Sequence, residues 1–186
     1  FTGPMTNFVT DTYSGATPLA VLKPGAEPAQ ATSLLTLFIG KHAGVIGETS
    51  VICLLIGAAY LLIKKIISWR IPVTYIATFA VLMFLFAPGH QFEAEYLLKE
   101  LCAGGLVLGA FFMATDYVTS PITPMGKIVF GVILGILTFI FRMFGGSAEG
   151  VSYAIIFSNL LVPLIERVTV PKSFGKQKPV KEKEAK

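Results

Sequence analysis

Charge is scarce along this chain. Aspartate, glutamate, lysine and arginine make up 14% of its 186 residues, while 54% are hydrophobic and mean hydropathy is +0.72. Soluble globular domains carry roughly a quarter of charged residues, so that balance excludes an ordinary soluble domain. Cysteine is equally sparse. Cys53 and Cys102 are the only two, 49 positions apart, with no C-x-x-C spacing and only His42 and His90 as histidines. A metal or iron–sulfur site built from this chain alone is therefore disfavoured. Both cysteines are expected to be small buried hydrophobes, although a cysteine given to a cluster shared with a second subunit stays open. The first thirty residues have no basic start followed by an apolar core, so they do not read as a secretory signal.

The apolar residues fall into blocks of membrane-crossing length, about 17 to 25 residues per helix. Five spans are predicted, near Thr49 to Ile66, Ile71 to Ala87, Leu97 to Ala114, Lys127 to Phe144 and Gly150 to Glu166. The expected fold is thus an all-α polytopic membrane protein. Residues 1–48 form a loop with a short interfacial or re-entrant piece at 31–39, residues 49–166 the five-helix domain, and residues 167–186 a basic tail.

Basic residues are unevenly placed, and the positive-inside rule converts that into a threading. Eleven of the fifteen lie on one side: Lys64, Lys65 and Arg70 in the first connection, Lys127 in the third, and Arg167, Lys172, Lys176, Lys178, Lys181, Lys183 and Lys186 after the last span. Lys23, Lys41, Lys99 and Arg142 lie on the other. With the crowded side cytoplasmic, five spans put residues 1–48 outside and the C-terminus inside. The pI of about 9.1 comes largely from the tail, which points to anionic lipid head groups or plain solvation rather than to nucleic acid.

Small residues in the spans predict close helix contacts, since lipid supplies little hydrophobic drive between helices. Gly105 with Gly109, and Gly131 with Gly135, have GxxxG spacing, Ala103 and Gly104 extend the smooth face of the first pair, and a groove admitting a cofactor is the lesser alternative. Asn159 sits mid-span with its carbonyl freed by Pro163, suiting a helix–helix hydrogen bond or, as the lesser alternative, a cofactor or ion contact. Glu48 and Glu149 stand where helix starts favour an anion. Arg142 is expected either to snorkel or to pair with Glu149. Asp116 follows an apolar run at a helix C-terminus, the unfavourable end for a carboxylate, and is expected to start a turn or cap the next segment, with a functional role as the alternative.

The richest chemical pattern is D-T-Y-S-G-A-T, Asp11 to Thr17. Gly15 and Ala16 keep the chain beside Thr17 free and slim, Pro18 holds Thr17 extended, and Asp11 and Ser14 can bond local backbone. A hydroxyl presented on such an accessible loop suits modification by another enzyme. The heptad resembles the acceptor motif of flavin transferases, which join the FMN half of FAD through phosphate to the last threonine. On that resemblance Thr17 is the covalent FMN site and Asp11, Ser14, Gly15 and Ala16 are its attachment motif.

Three further stretches extend the likeness: G-V-I-G-E-T-S from Gly44, F-M-A-T-D-Y-V-T-S-P-I-T-P-M-G-K from Phe112, and R-M-F-G-G-S-A-E-G-V-S-Y-A from Arg142. Together they resemble the D subunit of the Rnf ferredoxin:NAD oxidoreductase complex and its relative, the B subunit of the sodium-translocating NADH:quinone reductase. The resemblance implies a two-repeat bundle of which this chain is the second half, the chain itself opening on a mid-protein motif. It also implies a bacterial cytoplasmic membrane location, a flavin transferase for maturation, and membrane and flavoprotein subunits as electron partners. Coupling to sodium or proton transport follows on the same ground, as does a second, noncovalent flavin in the full-length protein, to which no residue here is assigned. Composition alone leaves two rivals. A channel or carrier would leave the heptad an unmodified loop, and a structural subunit would show neither flavin nor conduction.

Overall fold

Backbone amides and carbonyls inside a bilayer have no water to bond, so an apolar chain of this kind must satisfy them within each segment. The computed structural model, which describes residues 19, 34–40, 50–87, 92–145 and 149–171, is accordingly helical in every regular element among those residues. The elements are α1 (Leu34–Ile39), α2 (Val51–Ile63), α3 (Arg70–Phe86), α4 (Ala94–Cys102), α5 (Leu106–Met113), α6 (Pro124–Phe144) and α7 (Val151–Thr169). Two of these, α6 and α7 with 21 and 19 residues, are long and apolar enough to cross a membrane. The α4–α5 pair makes a third crossing if its halves form one span, whereas α2 and α3 are shorter apolar helices of 13 and 17 residues. Much of α7 remains uncovered, including Ile156, Phe157, Leu160 and Leu164, as a lipid-facing surface requires.

The core is the α3–α6–α7 layer. Ile71, Tyr75, Phe79 and Met83 recur every fourth residue on α3, which places them on one stripe, and they meet Phe130 and Leu134 of α6. A polar bridge crosses that seam, where Tyr75 Oη lies 2.6 Å from Thr138 Oγ1. The GxxxG expectation on α6 is borne out: Gly131 and Gly135 lie under Thr74 and Thr78 of α3, one turn apart on each helix. A Cβ on Gly135 would come within 2.7 Å of Thr78 Cβ and 3.0 Å of the Phe79 amide nitrogen. Gly135→Val is therefore expected to wedge α3 from α6 and to destabilise the protein by about 1–3 kcal/mol. Gly57→Ala, which meets only the rotatable ring of Phe112 at 3.1 Å, should be near neutral. Thermal unfolding in detergent separates the two, and equal melting points would refute the close α3–α6 contact.

One end of the bundle is held by short polar bonds. Thr123 caps α6 by accepting from the Gly126 amide at 3.0 Å, with Pro124 at the first helical position. Its hydroxyl also donates to Thr169 Oγ1, 2.9 Å away at the end of α7. At the same end, α2 stops in a double reverse bond, Lys65 N to Leu62 O and Ile66 N to Leu61 O, each 3.0 Å. The geometry is a Schellman stop in which Lys65, at φ 55°, takes the left-handed place that glycine usually fills. Tyr117 Oη then donates to Ile66 O, tying the segment after α5 to the α2–α3 connection. The connections carrying Lys64, Lys65 and Arg70, Lys127, and Arg167 thus gather at one end.

Several expectations change. The span placed at Leu97 to Ala114 is not one helix: it breaks between Cys102 and Leu106, and its two parts meet at 67°. Gly104 sits at φ 69°, a conformation open to glycine at little cost, so the Gly104–Gly105 pair ends the helix instead of smoothing its face. Gly109, by contrast, does give close contact, against Val151 of α7, where α5 widens into a π turn with Ala114 N donating to Gly109 O at 2.7 Å. Cys102 is buried as expected, but Cys53 is exposed on α2. Asp116 does start a turn, accepting from Thr119 Oγ1 at 3.2 Å. Asn159 Oδ1 is buried without a hydrogen-bond partner, so the expected helix–helix bond is not made through it.

Candidate functional site

A helix broken inside a membrane leaves carbonyls at one stump and amides at the other, and both need partners. Two charged side chains distant in sequence supply them here. Arg142, near the end of α6, points at the C-terminal stump of α4, where its Nη1 donates to Glu100 O at 2.7 Å and its Nη2 to Ala103 O at 3.1 Å. Nη1 also lies 3.0 Å from Glu100 Oε2, an ion pair whose two side chains are 1% and 2% exposed. The guanidinium carbon stands 5.2 Å from the centroid of the Phe79 ring, adding a cation–π contact from α3. Across the break, Glu149 Oε1 accepts from the Gly105 amide at 3.1 Å.

Each charge has the sign its stump favours. A cation meets the negative end of α4, and an anion meets the positive start of α5. Arg142 does not snorkel outward, and its ion pair is with Glu100 instead of Glu149. Glu149 in turn serves the break at α5, while Gly150 stands as the uncapped start of α7. Glu100 escapes a reading of the sequence that weighs polar residues one at a time. Its signal is there all the same, since a carboxylate inside a predicted span needs a partner.

Leu19 also packs at the break. Leu19 is 3% exposed, and its Cδ2 would lie 2.9 Å from a Cβ placed on Gly104. The same Cβ would stand 3.2 Å from Arg142 Nη2 and would overlap Glu149 Oε1. Leu19, Glu149 and Arg142 therefore converge on one glycine, and only its missing side chain leaves them room. Arg142 Nε is buried there without a hydrogen-bond partner. Thr17, Asp11, Ser14, Gly15 and Ala16 lie outside the described residues, as do His42, His90 and Glu48. Among the described residues no group of three or more histidine, cysteine, aspartate or glutamate side chains is arranged to hold a metal ion.

Apolar helices with uncovered faces, joined to a broken helix stabilised by buried charge, define a polytopic helical membrane protein. The chain belongs to the NQR2, RnfD, RnfE family, whose model matches residues 1–175. It is similar to the D subunit of the Na+-translocating ferredoxin:NAD+ oxidoreductase complex of Acetobacterium woodii, 45% identical over 179 residues that make up 95% of this chain and 54% of that protein. It is likewise similar to the D subunit of the proton-translocating ferredoxin:NAD+ oxidoreductase complex of Clostridium ljungdahlii, at 41% identity over 89% of this chain and 52% of that one. A third relative, the D subunit of an ion-translocating oxidoreductase complex of Stutzerimonas stutzeri, is 39% identical over 89% of this chain and 49% of its own length. The chain spans about half the length of these curated relatives. The kinship expected from the heptad and the three longer stretches is thus established.

Proposed function

We propose that this chain is the flavin-bearing half of a D-type subunit in an ion-translocating electron-transport complex, with FMN joined through phosphate to Thr17. The observation that carries the reading is Leu19. Two residues after the acceptor threonine the chain is pinned on Gly104, between Arg142 and Glu149. Leu19 thus gives the chain a fixed point two residues from the proposed attachment position. A tethered carrier must be held at fixed range of its partners, and an anchor of this kind supports that. FMN, when bound, supplies one- and two-electron chemistry. The protein's part is to position: Thr17 Oγ provides the ester oxygen, Leu19 the anchor, and the Arg142–Glu100 pair with Glu149 a rigid seat.

On this reading the basic end faces the cytoplasm, and residues 1–48 with the flavin face outward, toward the other redox subunits. The relatives' names describe sodium- and proton-translocating ferredoxin:NAD+ oxidoreductase complexes, and in such a complex Thr17 would hold the flavin that supplies the redox chemistry to which ion transport would be coupled. A flavin transferase completes the subunit in the bacterial cytoplasmic membrane. Intact-mass measurement of the chain from cells with an active transferase tests the reading directly. A mass raised by one FMN less water is expected. An unmodified mass would return the chain to the channel or scaffold class.

A further inference from the structure

The basic end holds a cavity of about 630 Å³ that the redox reading does not use. Lys65 and Lys127 line it from the α2 stop and the first turn of α6, Ser68 and Ser120 add hydroxyls, and no lining residue is acidic. Neither lysine has an ion-pair partner among the described residues. Apart from Thr115, whose hydroxyl donates to Phe111 O, the rest of the wall is apolar or amphipathic and includes Ile66, Ile71, Trp69 at 62% exposure, and Tyr117, whose hydroxyl is committed to Ile66 O. Tryptophan and tyrosine beside lysine at the end of a membrane helix mark the head-group level. Lys65 adds an independent sign. It occupies a left-handed position at a cost a glycine would avoid, and a use for its ammonium would offset that cost.

The geometry points to a binding site for one anionic phospholipid, its phosphate between Lys65 and Lys127 and its chains running from Trp69 along the exposed aliphatic flank. A soluble phosphate would match the two lysines equally well but would leave the apolar wall without a role. The lipid site is independent of flavin attachment and holds for either orientation.

Trp69 is the sole tryptophan of this chain and so reports on the site. In nanodiscs, the fluorescence difference between the protein and its Trp69→Phe variant isolates that signal, even with other subunits present. Brominated phosphatidylglycerol should quench it in clear preference to brominated phosphatidylcholine. The preference should fall about fivefold in Lys127→Gln and on the order of twentyfold in Lys65→Gln/Lys127→Gln, and persist in Lys65→Arg/Lys127→Arg. Should the double variant not be recovered, the single one gives the same decision. Equal quenching by both lipids, or an unchanged preference in Lys127→Gln, would overturn the site. So would absence of quenching by either lipid, which would mean that protein fills the cavity. Relief of quenching by millimolar inorganic phosphate, without any lipid preference, would assign the lysines to a soluble anion and likewise reject the lipid.

Discussion

Thr17→Ala is expected to reduce the in-gel flavin fluorescence of the denatured chain to background, while the protein remains in the membrane fraction. A phosphoester needs an acceptor oxygen, and alanine has none, so the effect is complete instead of graded. Thr17→Ser keeps a hydroxyl at the same backbone position and should retain measurable fluorescence. Ser14→Ala, which takes away a hydroxyl able to bond local backbone but not the acceptor, should lower the yield without abolishing it. Thr17→Ala leaves the Arg142–Glu100 pair and the Glu149 contact in place, so its melting point should stay close to that of unmodified protein. Fluorescence in Thr17→Ala equal to the parent would place the attachment elsewhere. Loss of the protein from the membrane would instead show that Thr17 acts in folding.

The second large effect is expected at the helix break. Arg142→Gln leaves the Glu100 carboxylate buried with no counter-charge and strips the Glu100 and Ala103 carbonyls of their donors. Breaking a buried pair from one side costs about 3–5 kcal/mol, because the desolvated partner remains. A fall in melting temperature on the order of 10 °C corresponds to that loss. Glu100→Gln should cost less, since the amide oxygen still accepts and the guanidinium keeps both carbonyls and the Phe79 ring. The informative variant is the double one, Arg142→Met/Glu100→Leu. Removing both charges together should recover part of the stability lost in Arg142→Gln, which a merely additive pair of lesions does not allow. If Arg142→Gln melted with the parent, the pair would not hold the break. The same variants read function separately: where the seat under Leu19 is loosened, electron-transfer rate should fall more than flavin content does.

Much of the fold is legible locally. The span expected at Lys127 to Phe144 is α6, Pro124–Phe144, and the one expected at Gly150 to Glu166 is α7, Val151–Thr169. Apolar length and flanking glycine or proline are properties of a single segment, and a single segment can be read without its neighbours. The pairing of Gly131 and Gly135 with another helix is legible for the same reason, though not that Thr74 and Thr78 of α3 are the partners. The break is harder. Gly104 and Gly105 in an otherwise apolar stretch fit a smooth packing face as well as a stop, and local pattern does not choose between them.

What distinguishes the alternatives lies far along the chain: Arg142 is 42 positions from Glu100, and Glu149 is 44 from Gly105. Composition, the D-T-Y-S-G-A-T heptad and the uneven spacing of the lysines are written in the order of residues, because each depends on chemistry a few positions wide. The 67° turn, the burial of an arginine long enough to reach an interface, and the seating of Leu19 against Gly104 arise only when α3, α4, α6 and the start of α7 are brought together. A charge enters a low-dielectric interior only where opposite charge and orphaned backbone groups already wait for it, and folding alone assembles that company.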